Sequence, residues 1–220
     1  MKDRRENEAQ PRKTYKSFAD SLNHAVIEEE GFWKGWETAM YAIPPLLKAV
    51  SFAAHKHRNQ RRKDASGTPY INHPLMVIRL MSEVGGLQYK DALMAGVLHD
   101  TVEDTDTTPA EIEELFGETV RGLVMEVTDD KSLSKYARKQ LQIAHAPHLS
   151  PNAKIIKLAD RTANVTDIAH LPPVGWSVER RLEYLTWSQK VVAGCRGTNQ
   201  ALETLFDQRV ALAKHSMRLH

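Results

Sequence analysis

His99, Asp100, Glu103 and Asp104 place four ionisable side chains within six residues of one another. They follow the apolar run Ala92-Leu93-Met94-Ala95-Gly96-Val97-Leu98. That run has no polar face, so a helix built from it is expected to be buried. Acids at the C-terminal end of such a helix oppose its dipole and cost free energy when desolvated. A positive group must compensate them, and a bound metal ion is the simplest. His99 and Glu103 are i, i+4 neighbours, as are Asp100 and Asp104, so one helical turn offers a His-Asp tier with a Glu-Asp tier above it. The competing reading is an acidic surface turn with an incidental histidine.

A catalytic metal needs further ligands and an open position for water. His73 directly precedes Pro74, and a proline in the first helical position makes this histidine the expected N-cap. Asp160 stands in the apolar stretch Ile155-Ile156-Lys157-Leu158-Ala159, where a lone acid should be metal-bound or paired, Arg161 being the nearest partner. Imidazole and carboxylate ligands together suit Mn²⁺, Fe²⁺, Zn²⁺ or Ni²⁺. Glu103 and Asp104 would then serve the attacking water as acid or base, or else merely balance charge. The run Lys56-His57-Arg58-Asn59-Gln60-Arg61-Arg62-Lys63 reads mostly as a solvated basic helix end, with one or two members turned to bind phosphate. Asn164, one turn beyond Asp160, should face the same cavity, and Lys135 and Arg180 are further phosphate candidates.

These residues need helices to hold them. Residues 1–13 are charged and expected to be disordered, and 14–42 carry apolar spacings of one or two amphipathic helices. Pro44-Pro45 should break that pattern and begin the main domain, giving an extension over 1–43 and a domain over 44–220. Helices are expected over 46–58, 74–84, 88–103, 109–116, 118–127, 134–145, from 151 through Asp160, over 178–194 and from 199 to about 214. Thr108, Ser150, Ser177 and Thr198 or Asn199 are the expected caps, with Thr108-Pro109-Ala110-Glu111 a capping box. No alternating strand pattern, repeat or low-complexity segment is present, so the expected fold is compact and all-α.

Composition narrows the function. A net charge of +2 over 220 residues gives no reason to expect a nucleic-acid partner. No apolar run of about 18 residues is present, so no membrane partner is expected. The charged N-terminal residues, with no apolar stretch behind them, are not expected to form a secretory leader. One cysteine, Cys195, excludes an internal disulfide framework and fits a reducing cytoplasm. Self-association into a homo-oligomer is left open.

Read jointly, the motifs resemble a known family. Gly67-Thr68-Pro69-Tyr70-Ile71-Asn72-His73-Pro74, then Leu98-His99-Asp100-Thr101-Val102-Glu103-Asp104-Thr105, then Phe116-Gly117 and Lys157-Leu158-Ala159-Asp160-Arg161 resemble the HD-domain metal phosphohydrolases, specifically the hydrolase domain of the Rel/Spo alarmone enzymes. Arg61-Arg62-Lys63-Asp64, Glu126-Val127-Thr128-Asp129-Asp130-Lys131 and Gly175-Trp176-Ser177 bring it nearer the stand-alone small alarmone hydrolases. The resemblance spans about 46–210. It implies an HD-domain phosphohydrolase fold and a Mn²⁺-dependent 3′-pyrophosphohydrolase of guanosine tetraphosphate and pentaphosphate. It implies His73, His99, Asp100 and Asp160 as metal ligands, and Glu103 and Asp104 as the pair serving water. Arg62 and Lys63 would contact base and phosphates, with Asn164 near the ribose. Thr162 and Ala163 depart from the larger residues usual there, which leaves open a roomier wall and a different base. Removal of the NADPH 2′-phosphate, an adenosine alarmone, and nucleotide binding without turnover are the competing readings.

Overall fold

A computed structural model describes the backbone of residues 30–218 and the side chains of residues 43–218. The expectations for 1–13 and 14–29 fall outside those residues. The chain divides into two units, Met1–Tyr41 and Ala42–His220. The second unit, together with the helix leading into it, is α-helical, and no strand occurs among the described residues. The α-helices are α1 (Glu30–Lys56), α2 (Asn72–Arg79), α3 (Lys90–Leu98), α4 (Thr101–Asp104) and α5 (Pro109–Phe116). They continue with α6 (Glu118–Val127), α7 (Lys135–His145), α8 (Pro151–His170), α9 (Val178–Ala193) and α10 (Gln200–Ser216).

Side-chain caps start several of these helices. Thr108, Ser134, Ser150, Ser177 and Asn199 accept hydrogen bonds from the amides of Glu111, Ala137, Ala153, Arg180 and Leu202, respectively. The capping box at Thr108 is only half formed. The Glu111 carboxylate turns instead to Lys56 Nζ at 3.1 Å, a charged partner that outcompetes a backbone amide. Gly117, at φ +91°, makes the joint between α5 and α6 that an L side chain would resist.

Three expected boundaries shift. Pro44 and Pro45 do not break the chain but lie inside α1. Each proline keeps a helical φ but loses the bond to the carbonyl four residues back and crowds it, and the C-terminal part of α1 is held by the buried Ala49 and Ala53. His73 is not an N-cap: α2 starts at Asn72, which puts Pro74 in the first turn, where its missing N–H is not needed. The helix expected over 88–103 is two, α3 and α4, with His99 and Asp100 at the joint.

α8 is the centre of the unit. Twelve of its twenty residues are buried, so it packs on all sides. α2, α3, α6, α9 and α10 all contact it. Leu98, Ile156, Leu158, Leu185, Leu202 and Phe206 are among the fully buried side chains of this core. α3 sits close on the π turn Leu80–Val84 that continues α2, because Gly96 has no Cβ; one placed there would meet Met81 Sδ at 2.6 Å.

Candidate metal centre and cavity

Three helices bring the polar residues together. His73 lies in the first turn of α2, His99 and Asp100 follow the end of α3, and Asp160 is midway along α8. Asp100 sits at φ −99°, ψ −4°, the sparsely populated bridge region that turns its carboxylate back toward the histidines. His73, His99 and Asp160 each present a ligand atom, all within 4.8 Å of one another. His73 Nε2 lies 3.2 Å from Asp160 Oδ1 and 3.8 Å from Asp100 Oδ2. His99 Nε2 lies 3.0 Å from Asp100 Oδ2 and 3.9 Å from Asp160 Oδ1.

The hydrogen bonds around these four orient them. His99 Nδ1 donates to the Gly96 carbonyl at 2.8 Å, since a carbonyl can only accept. That bond leaves Nε2, which has no hydrogen-bond partner although it is buried, as the ring nitrogen that faces the carboxylates. Tyr70 Oη donates to Asp100 Oδ2 at 2.5 Å. Asp160 divides its two oxygens. Oδ2 accepts from Arg161 Nη2 (2.5 Å) and Nε (3.0 Å), and Oδ1 faces the histidines and accepts from Asn164 Nδ2 (2.6 Å). The ion pair with Arg161 and a ligand role for Asp160 therefore use different oxygens.

The electrostatics favour a cation between these groups. Burial opposes charge on His99, yet the carboxylates of Asp100 and Asp160 push its pKa up to about 9. Burial raises the Asp100 pKa, but the His99 and His73 imidazoles outweigh it and hold the group well below the usual carboxylate range. Asp160 is held down likewise against burial, chiefly by Arg161. His73 goes the other way: burial lowers its pKa. An orphaned imidazole nitrogen facing two carboxylates, with a second imidazole beside them, fits a divalent ion of the borderline class.

Glu103 and Asp104 lie one turn further, on α4. Their side chains turn toward the loop after α6. Asp129 N donates to Glu103 Oε2 at 3.2 Å, and Lys131 Nζ lies 2.5 Å from Asp104 Oδ1 and 3.5 Å from Glu103 Oε1. Gln60 Nε2 donates to Asp104 Oδ2 at 3.2 Å. Burial, followed by the Asp129 carboxylate, raises the Glu103 pKa.

Beside the four polar residues lies a cavity of about 550 Å³. His73, Asp104, Arg62, Lys63, Asn164, Trp176 and Tyr184 are among the residues that line it. Arg62 Nη2 donates to Asn164 Oδ1 at 3.0 Å and pairs with Asp167, and its guanidinium lies 5.6 Å from the Tyr70 ring centre. Asn164 therefore links Asp160 to Arg62. Lys135 and Arg180 are not among the lining residues. Arg180 stacks over the Trp176 ring at 4.4 Å, and Lys135 starts α7, where its charge helps lower the pKa of Lys139 after burial. Of the two small residues after Asp160, only Ala163 faces the cavity. Thr162 is buried and donates to the Leu158 carbonyl at 2.8 Å, so it does not widen the wall.

Four residues of this region carried no role in the sequence reading: Tyr70, Lys131, Asp167 and Tyr184. Tyr70 and Lys131 stood inside the quoted motifs, but only the fold shows that they reach Asp100 and the Glu103-Asp104 pair. Asp167, one turn beyond Asn164 on α8, could have been found by helical spacing. Tyr184 gave no local signal.

The HD domain family matches residues 49–184. A mouse guanosine-3′,5′-bis(diphosphate) 3′-pyrophosphohydrolase is 54% identical over 168 residues, spanning 74% of this chain and 94% of the mouse protein. The fruit-fly enzyme of the same name is 48% identical over 170 residues, 77% of this chain and 95% of that one. A solved structure described as a metazoan ortholog of SpoT that hydrolyzes ppGpp superposes with a TM-score of 0.74 at 48% identity, covering 75% of this chain and 93% of that chain. A Listeria monocytogenes structure matches with a TM-score of 0.56 at 29% identity, over 69% of this chain and 98% of the other.

Proposed function

We propose that this chain, which belongs to the HD-domain family, hydrolyses the 3′-pyrophosphate of guanosine tetraphosphate and pentaphosphate to give GDP or GTP and pyrophosphate. The observation that carries the reading is the set of buried His73, His99 and Asp160 with half-buried Asp100, and an orphaned His99 Nε2, beside a cavity walled by Arg62 and Lys63. The relatives named for this reaction, matched over nearly their whole length, support the substrate. We assign the activity to residues 44–220.

His73, His99, Asp100 and Asp160 would hold the ion, and Mn²⁺ is the member of the borderline set that the family resemblance favours. When bound, such an ion acidifies water and polarises phosphoryl oxygens. The remaining work falls to side chains. Arg62 and Lys63 neutralise the substrate's phosphates, the guanidinium with two donors and the ammonium as a point charge. Asn164 fixes the distance between Arg62 and the Asp160 carboxylate. The Trp176 and Tyr184 rings, 5.6 Å apart and edge to face, give the cavity an aromatic side for the base. Glu103 and Asp104 take the proton of the attacking water and return one to the ribose 3′-oxygen as its bond to phosphorus breaks. Tyr70 holds Asp100 in place.

The test is direct. Protein loaded with Mn²⁺ is incubated with guanosine tetraphosphate, and the products are separated by anion exchange. GDP with equimolar pyrophosphate is expected. Release of orthophosphate, or no turnover, would overturn the assignment.

A further inference from the structure

Lys131 lies on the loop between α6 and α7, and that loop is built to a fixed shape. The ammonium of the buried Lys157 donates to the Val127 carbonyl at 3.0 Å, at the C-terminal end of α6. Gln142 Nε2, on α7, holds Asp129 Oδ2 at 2.6 Å, and the Asp129 amide in turn holds Glu103. Asp130 closes a turn by accepting from the Ser132 amide at 2.9 Å. At the tip of this turn Lys131 Nζ touches both carboxylates of the α4 pair, at 2.5 Å to Asp104 and 3.5 Å to Glu103.

An exposed lysine pair is ordinarily worth little, and Lys131 is 49% exposed. This contact differs in what lies on the other side. The Glu103 and Asp104 side chains are only 19% and 22% exposed. Asp100 and Asp129 add two more carboxylates around Glu103. Arg138 Nη1 on α7 reaches Glu103 Oε1 at 3.5 Å, but makes no ion pair with Asp104. Among the described residues Lys131 is therefore the cation that bridges the pair.

We propose that Lys131 is a positioning residue for the reaction: its ammonium holds Glu103 and Asp104 against their mutual repulsion, in the orientation from which they handle the protons of water and leaving group. This rests on the hydrolase reading above. A carboxylate freed from the bridge swings away from its neighbour, and misplacement of a catalytic group by about 1 Å can cost about 100-fold in rate. Lys131 acts on the pair and not on the phosphates, so its loss falls on kcat. Loss of Lys63, which lines the cavity, falls on KM.

The experiment uses the full chain loaded with Mn²⁺. Lys131→Gln should lower kcat for guanosine tetraphosphate by about 10- to 100-fold, with KM changed by less than about twofold, while the exposed control Arg58→Ala keeps wild-type values. Lys131→Cys treated with 2-bromoethylamine regains an ammonium at nearly the same reach and should recover most of kcat. The chain's single native thiol, Cys195, is buried and its pKa is pushed by burial up to about 11, so it is spared. A crystal structure of Lys131→Gln should show the Glu103 and Asp104 carboxylates displaced. Unchanged kcat, a loss confined to KM, or undisplaced carboxylates would each overturn the proposal. If wild-type protein releases no pyrophosphate, the hydrolase reading fails instead, and the crystal structure still decides whether Lys131 sets the pair.

Discussion

Removing the Asp160 carboxylate should unsettle the protein even where no metal is involved. Asp160 is 5% exposed and Arg161 8%, so the guanidinium is as buried as its partner. Arg161 spends Nε and Nη2 on Asp160 Oδ2 and lies 4.7 Å from the Trp187 ring centre, away from water. Asp160→Ala leaves that cation buried and unpaired, which costs about 3–5 kcal/mol. Relief of repulsion with Asp100 trims the figure without reversing it, because Asp100 keeps both imidazoles. For a domain of this size each kcal/mol moves Tm by about 2–4 °C, so a fall of roughly 6–20 °C is expected. The assay is thermal unfolding by circular dichroism with chelator in both samples, which removes any difference in metal loading. Arg161→Met on the Asp160→Ala background should recover much of the loss, since an apolar side chain leaves no unpaired charge. Added Mn²⁺ should then raise the Tm of wild type and not of either variant. An Asp160→Ala Tm within about 2 °C of wild type under chelator, less than 1 kcal/mol by the same conversion, would refute the reasoning.

Arg62→Ala should raise KM for guanosine tetraphosphate by about 10- to 100-fold, the worth of a charged hydrogen bond of about 1.5–3 kcal/mol, while Arg58→Ala leaves it unchanged; steady-state kinetics at one Mn²⁺ concentration decide, and equal losses would mean diffuse attraction. Glu103→Gln should keep the metal and cut kcat by about 100-fold or more, read by metal analysis beside the rate. Glu103 works as a base only when ionised, and its pKa is raised by burial and Asp129, so the acid limb of kcat should lie above 4.5 and activity should fall as pH drops through it. Asp129→Asn should move that limb to lower pH. Ala163→Leu narrows the cavity and should raise KM, whereas Thr162→Leu overpacks the core and should lower stability by about 1–3 kcal/mol, measured by urea unfolding. Among substrates, guanosine tetraphosphate should exceed NADPH in kcat/KM, because a pyrophosphate offers Arg62 and Lys63 more charge than a single phosphate; a tenfold advantage for NADPH would overturn the substrate choice.

Local signals reached the all-α class and most helix ends because caps and apolar periods act within a few residues. Ser150-Pro151, Ser177 and Asn199 start helices where their side chains satisfy the first free amides. The misjudged ends are those that tertiary packing decides. Pro44-Pro45 carries a strong breaking signal, yet the helix continues into the buried Ala49 and Ala53. The split at His99 was invisible because nothing in the six residues themselves marks the end of α3 at Leu98. Thr162 and Ala163 show the same limit: adjacent positions on a helix differ by about 100°, and only the fold tells which faces the cavity. Lys131 stands inside a recognisable motif, but its role is not legible there because its partners lie 27 and 28 positions away.

The position of the polar groups on α8 explains how so buried a helix tolerates them. Asp160 and Asn164 are one turn apart, and Asp167 lies one turn further along the same face. Each is matched: Asp160 by its neighbour Arg161 and by two histidines from other elements, Asn164 and Asp167 by Arg62. A polar stripe on the central helix would be costly in a closed core. Here it costs less because it faces a cavity, and the arginine that satisfies its outer half comes from the loop before α2. Arg62 meets Asn164 and Asp167 with Nη2 alone, so its other guanidinium donors can turn to a phosphate. The stripe thus links Asp160, the proposed metal ligand, through Asn164 to Arg62, the proposed substrate contact, and perturbing Asp167 should register at Arg62 before it registers at Asp160.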